Sequence, residues 1–210
     1  MPTPALAGDD AELWLRASAT ADLSERWQLG LESILRFSAE ADGLYEGEFG
    51  GTLGYELQSG LTLAAGYLRV PTYSRSGVVR KENRFRQQLS FAVAAMGKSK
   101  LSGRLRIEER LIGTGGDMGV RLRPGIGLSI PLRSGASIAL VASHESFVNL
   151  NSTDWGQDAG YDRMRNFLGV SAPVSKRLTI EGGYLNQFSF RKGAQDIQDH
   201  VASASMSYRF

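Results

Sequence analysis

The segment from Arg104 to Leu111 reads RLRIEERL, with Arg104, Arg106, Glu108 and Arg110 on one phase of a two-residue alternation and Leu105, Ile107, Glu109 and Leu111 on the other. Successive side chains of a strand point to opposite faces, so this is the pattern of a strand with one charged and one largely apolar face. It recurs in eleven segments: residues 11–21, 26–38, 47–57, 61–70, 82–95, 101–111, 118–130, 136–148, 161–172, 178–190 and 199–210. Nothing with the period of a helix runs for more than two turns between them, so the chain is predicted to be all-β. Many of the segments run 10 to 13 residues. Strands of soluble proteins usually have about five or six, whereas about 9 to 11 residues at a tilt of about 45° cross a bilayer. No stretch approaches the roughly 18 consecutive apolar residues of a membrane helix, so such a chain can cross a membrane only as a closed barrel, which pairs every backbone group.

The connections sort in the same way. DLSE (22–25), QSG (58–60), MGKSK (96–100), PLRSG (131–135) and PVSKR (173–177) are short, and those between them are longer and more polar, with PTYSRSGVVRK (71–81) and NLNSTDWGQDAG (149–160) the longest. Short turns at one rim and longer loops at the other are the arrangement of an outer-membrane barrel. There the apolar phase meets acyl chains and the charged phase lines the lumen, the reverse of a soluble sheet. The apolar phase holds rows such as Leu29, Leu31, Leu35 and Phe37, or Val120, Leu122, Ile126, Leu128 and Ile130. The opposite phase supplies the candidate lumen residues Arg36, Glu48, Glu56, Arg84, Arg86, Arg104, Arg106, Glu108, Arg110, Arg121, Arg123, Glu145, Arg163, Arg165 and Glu181. Counted with Glu12, Arg16, Arg26, Glu32, Glu82 and Arg209, that face carries 13 Arg against 8 Glu. Opposite charges at this density are expected to pair across neighbouring strands and to crowd a barrel narrower than a 16-stranded porin.

A length of 210 residues fits one domain. Residues 1–10 are expected to be the residual end of an export signal or a disordered tail, ahead of a single barrel over 11–210. Ala5, Leu6 and Ala7 before Gly8 have the small-residue form of a cleavage box. A net charge of +2, with no run of five like charges, gives no reason to expect a nucleic-acid partner. The chain has no Cys and two His, which removes disulfides, thiolate catalysis and multi-His metal sites, so no cofactor or metal is expected.

The chain ends HVASASMSYRF, with His200, Ala202, Ala204, Met206, Tyr208 and Phe210 on one phase. A final alternating strand that closes on an aromatic residue resembles the signal read by the outer-membrane barrel assembly machinery. The resemblance implies a Gram-negative outer-membrane destination, that machinery as partner through Tyr208 and Phe210, and outer-membrane lipid as surroundings. The segments LWL (13–15), GYLR (66–69), ENRFRQQ (82–88), RLRIEER (104–110), HESFVN (144–149) and SYRF (207–210) together resemble the bacterial family of outer-membrane β-barrels catalogued only as a domain of unknown function. That resemblance implies a transmembrane antiparallel up-and-down barrel and supplies no activity. A monomer is expected. Eleven segments conflict with the even strand numbers of bacterial single-chain barrels, so about 12 strands are expected, with 10 as the alternative.

Catalytic patterns are sparse. There is no G-x-S-x-G, and GTGGD (113–117) lacks the Lys and helix of a phosphate-binding loop. In ASHESF (142–147), His144 and Ser146 share the phase of Ile138 and Leu140 and would face lipid. A His-x-Ser pair on a lipid-facing strand resembles the lipid A deacylase family, which implies His144 as base to a Ser146 nucleophile, with Asp158 or Asp154 as the orienting acid. No acid stands in evident register on an adjoining strand, and the plainer expectation is an interfacial His beside an exposed Ser in a protein that is not an enzyme. Three function classes follow: a structural or interaction barrel with a crowded Arg/Glu lumen, acting through loops 71–81 and 149–160; a narrow, weakly anion-selective channel; and a lipid-modifying enzyme.

Overall fold

A computed structural model describes residues 9–133 and 137–210. The expected N-terminal segment up to residue 8 and residues 134–136, at the end of the PLRSG turn, lie outside the described residues. The alternating segments form β1 (Asp9–Asp22), β2 (Trp27–Ser38), β3 (Gly43–Gln58), β4 (Leu61–Ser74), β5 (Gly77–Met96), β6 (Ser99–Ile112), β7 (Met118–Pro131), β8 (Ala139–Asn149), β9 (Gly160–Pro173), β10 (Leu178–Ser189) and β11 (Ile197–Arg209). Each pairs with its neighbour in sequence, and β1 closes on β11 to complete a barrel.

The barrel has eleven strands among the described residues, close to the expected number of about 12 with 10 as the alternative, and its closure departs from a wholly antiparallel one. All sequential pairs are antiparallel, but β1 and β11 run parallel, from Asp9 opposite Gln198 to Thr20 opposite Arg209. With an odd number of strands in up-and-down order the first and last point the same way, so the seam must be parallel. The described residues contain eleven strands, and the barrel is mixed rather than wholly antiparallel. The second difference lies in residues 71–81, expected as a long loop. There β4 and β5 continue as a ladder from Pro71 opposite Lys81 to Ser74 opposite Gly77. Gly77 turns the chain at φ 107°, a value only glycine adopts without strain.

The two faces separate as alternation requires. Outward-facing Leu31 is 57% exposed, and Leu29, Leu53, Phe85, Leu105, Ile126 and Leu168 are exposed with it, while inward-facing Glu108 is 0% exposed and Arg36, Arg84, Arg86, Arg121 and Arg123 are buried. An apolar outer surface around a charged interior is the inverse of a soluble fold, and it is stable when hydrocarbon takes the place of water outside. Aromatic pairs sit on the outer face near both rims: Trp27 against Tyr55 and Tyr208 against Phe210 at the short-turn end, Tyr67 against Phe85 and Tyr161 against Phe190 at the long-loop end. Such girdles anchor a barrel at the two membrane surfaces.

Candidate functional site

The lumen is filled by ion pairs that run from strand to strand. Glu48 on β3 accepts Arg36 Nη2 of β2 at 2.5 Å and faces Arg84 Nη1 of β5 at 3.5 Å. Arg84 Nε also donates to Glu82 at 2.8 Å, and Glu82 takes Arg110 of β6 in a fork at 2.8 and 2.9 Å. Between them β4 contributes only Gly66, Leu68 and Val70 at this height, so the Arg84 side chain can reach across it to Glu48. A second chain centres on Glu108, which accepts Arg121 at 2.6 and 3.1 Å and Arg123 Nη1 at 2.5 Å, with Arg106 Nη1 at 3.8 Å. Arg123 Nη2 donates to Glu145 of β8 at 2.7 Å, and Glu145 also pairs with Arg104. Arg86 pairs with Glu32. Guanidinium forks suit this role because their donors are planar and fixed, so one carboxylate can join two arginines.

Two aromatic side chains occupy the middle of this layer. Phe147 is 1% exposed and has the guanidinium carbons of Arg123, Arg165, Arg121 and Arg163 at 4.3, 4.7, 5.1 and 5.7 Å from its ring centre. Trp14 lies between Arg36 and Arg165 at 4.4 and 4.5 Å. The ring faces attract cations, so each aromatic spaces several arginines that would otherwise repel one another.

The candidate lumen residues are thus brought together, with exceptions. Glu56 and Glu181 lie on the predicted face, but among the described residues neither has an ion-pair partner within 4.0 Å. Arg163 pairs with Asp162 at 2.8 Å, and Arg165 donates to Gln187 at 2.8 Å. Bulges explain two members that alternation does not reveal, Tyr45 and Asp162. A register shift at Arg36/Phe37 leaves Tyr45 without a strand partner, so that its hydroxyl donates to Glu12 at 2.8 Å while adjacent Glu46 pairs with Arg36. A shift at Phe147/Val148 does the same for Asp162, 4.0 Å from Arg121. Bulges re-aim side chains in this way. Asp10, Glu46, Asp162 and Asp199 join the lumen, whereas Arg26 and Arg209 bond Tyr55 and Asp22 at the rim. The surplus of Arg expected from the sequence is therefore offset inside the barrel.

The long-loop mouth carries a folded cover. Residues 150–159 pack on 113–117: the Asp154 carboxylate accepts Gly116 N–H at 2.7 Å and Asp117 N–H at 3.2 Å, and Trp155 Nε1 donates to the Asp117 carbonyl at 2.9 Å. Those backbone bonds hold the Asp154 carboxyl below its ordinary range. Gln157, 4% exposed, accepts Arg110 Nη1 at 3.0 Å and ties the loop to the layer beneath. On the short-turn side the lumen opens into a cavity of about 830 Å³, lined in part by Arg16, Arg104, Arg106, Ser102 and Ser205.

A separate polar cluster lies on the outer face. His144 Nδ1 is 2.8 Å from Asn166 Oδ1, His144 Nε2 is 3.0 Å from Ser146 Oγ, and Ser146 Oγ is 2.8 Å from the Tyr161 hydroxyl. The orienting partner is therefore Asn166, directly opposite His144 in the β8–β9 ladder. The expected acids are elsewhere: Asp154 is held by the 113–117 loop, and Asp158 lies in the cover, where its carbonyl accepts Asn149 Nδ2. Among the described residues no group of three or more His, Asp or Glu is placed to hold a metal ion.

Residues 11–198 match the family described as protein of unknown function (DUF2490). An uncharacterized protein of Methylorubrum extorquens is 34% identical over 159 residues, 75% of this chain and 70% of that protein. Among solved structures, the anion-selective porin from Comamonas acidovorans aligns at a TM-score of 0.42 with 16% identity, over 90% of this chain and 55% of the porin, so the chain spans about half the length of that structure.

Proposed function

The chain belongs to the DUF2490 family of proteins of unknown function, and we propose that it is a monomeric outer-membrane barrel with a closed lumen, serving as a structural or interaction element through its outer cover. The observation that carries this is the charged layer itself: Glu108 is 0% exposed beneath Arg121 and Arg123, and ion pairs reach over intervening strands, from Arg86 of β5 to Glu32 of β2 and from Arg104 of β6 to Glu145 of β8. Ion pairs sealed in this way stay closed because opening them strands charges inside a narrow passage. The narrow anion channel remains the second reading, favoured by the water-accessible Arg16 and Arg104 in the lower cavity. Liposomes carrying the folded protein separate the two: closure predicts that they swell in small sugars or chloride salts no faster than empty ones, and porin-like swelling would overturn it.

Assembly is proposed to depend on the C-terminal strand. Phe210 N–H donates to the Thr20 carbonyl at 3.0 Å, and its ring stacks edge-on with Tyr208, so the last three residues hold the lower end of the parallel seam. We expect the intact protein to fractionate with the outer membrane and to migrate differently on heating in detergent. A chain lacking residues 208–210 should lose both properties, and normal assembly of that chain would contradict the proposed partnership with the assembly machinery.

A further inference from the structure

We propose that Ser146, His144 and Asn166 form a hydrolytic site for acyl esters of amphiphiles, presented to the lipid from the outside of the barrel near its long-loop rim. The proposal relies on the outer face meeting lipid and is independent of whether the lumen is closed. The period of two places His144 and Ser146 of β8 on the outer face, and the antiparallel register sets Asn166 of β9 directly opposite His144.

The hydrogen bonds have one direction. Asn166 Oδ1 can only accept, so the proton at that contact resides on His144 Nδ1. Nε2 is then bare and accepts from the Ser146 hydroxyl at 3.0 Å, and Ser146 Oγ in turn accepts from Tyr161 at 2.8 Å. This is the tautomer a general base requires, with a third group holding the ring. The other histidine provides a contrast: His200 Nδ1 meets the phenol of Tyr184 at 2.6 Å, and its Nε2 faces Gln198 rather than a serine. Beside Asn166 in the next ladder stands Asn186, whose Nδ2 is buried without a partner.

The surroundings suit a molecule with a polar head and an acyl tail. Toward the rim, a cleft of about 600 Å³ lies between the cover and the β10–β11 loop; Tyr161 and Phe190 line it, with Arg191, Lys192, Asp158 and Asp196. Toward the membrane centre, Ile126, Leu140 and Leu168 on β7, β8 and β9 are exposed and apolar. A headgroup in the cleft would leave the tail along this strip and bring the ester carbonyl past Ser146.

Reaction proceeds in two balanced steps. Ser146 Oγ bonds the carbonyl carbon as its proton passes to His144 Nε2; the carbon–oxygen bond to the alcohol then breaks, and that alcohol leaves with the proton. Water from the headgroup region attacks the acyl-serine, gives its proton to His144, and the Ser146 ester bond breaks with return of the proton to Oγ, which releases a fatty acid. Tyr161, whose hydroxyl lies 2.8 Å from Ser146 Oγ, would supply the side-chain donor to the oxyanion, and Asn166 is a positioning residue that acts through His144.

The test uses the refolded full chain in mixed micelles with phosphatidylethanolamine in one arm and purified lipopolysaccharide in the other, with release of free fatty acid as the readout. A lipophilic fluorophosphonate provides a second readout through its mass on Ser146. Wild type should release fatty acid in one arm and take up the label. Ser146→Ala and His144→Ala should lower kcat by at least about 10³-fold, and Tyr161→Phe by about 10²-fold, while all retain heat-modifiable migration. Asn166→Asp should move the acid limb of the pH–rate profile to higher pH, because a carboxylate at that position favours the imidazolium. A structural hydrogen bond alone would not move that limb. Absence of both release and label in correctly folded wild type, or release that persists in Ser146→Ala, would overturn the proposal.

Discussion

Glu108→Ala is expected to be among the most destabilising single changes in this barrel. Glu108 is fully enclosed, and Arg121, Arg123 and Arg106 converge on it at 2.6, 2.5 and 3.8 Å. Its removal leaves neighbouring guanidinium groups in a desolvated layer with Glu145 as the remaining acceptor for Arg123. Stranding a buried charge by deletion of one partner is worth about 3–5 kcal/mol, and here more than one partner is stranded. Glu56→Ala is the control, since Glu56 shares the lumen face but holds no ion pair among the described residues; its change should stay within about 0.5 kcal/mol. Reversible unfolding in urea from the same detergent or lipid compares them. Equal midpoints would show that the Glu108 cluster contributes little.

Phe147→Ala is the second large effect. The ring is 1% exposed and four guanidinium groups surround it within 5.7 Å. Truncation of a buried Phe removes about 3–5 kcal/mol. In this setting it also withdraws the ring face that spaces the cations, worth about 0.5–2 kcal/mol for each desolvated contact. Phe147→Leu keeps volume and loses the ring face, so it isolates the cation–π part and should fall between wild type and Phe147→Ala. If Phe147→Leu matches wild type, the ring acts only as bulk.

The strands were legible because alternation is a local property: RLRIEERL fixes the two faces of β6 with no knowledge of its neighbours, and the same holds for Trp14, which sits between Leu13 and Leu15 on the phase of Glu12 and Arg16. Residues that depend on a partner strand were not. Tyr45 and Asp162 enter the lumen through register shifts, which no single strand encodes, whereas Glu46 shares the phase of Glu48 and extends it beyond the segment read from the sequence. Closure by a parallel seam likewise depends on the whole count, and the even-number rule for bacterial barrels pointed away from it. In the outer cluster, His144 and Ser146 could be read from their spacing, but Asn166 lies 22 residues away and becomes a partner only through the β8–β9 register. The cover of residues 150–159 was legible as a loop, whereas the carboxylate grip of Asp154 on Gly116 and Asp117 arises from the packing of two loops.

The closed, charge-paired lumen is tested most directly by planar-bilayer recording of wild type beside Arg106→Glu. Arg106 borders the lower cavity, bonds Gln88 at 2.6 and 2.9 Å and faces Glu108 at 3.8 Å, so a carboxylate there would repel Glu108 and loosen the layer. Wild type is expected to be silent and the variant to pass current. A large, steady conductance in the wild type would contradict it.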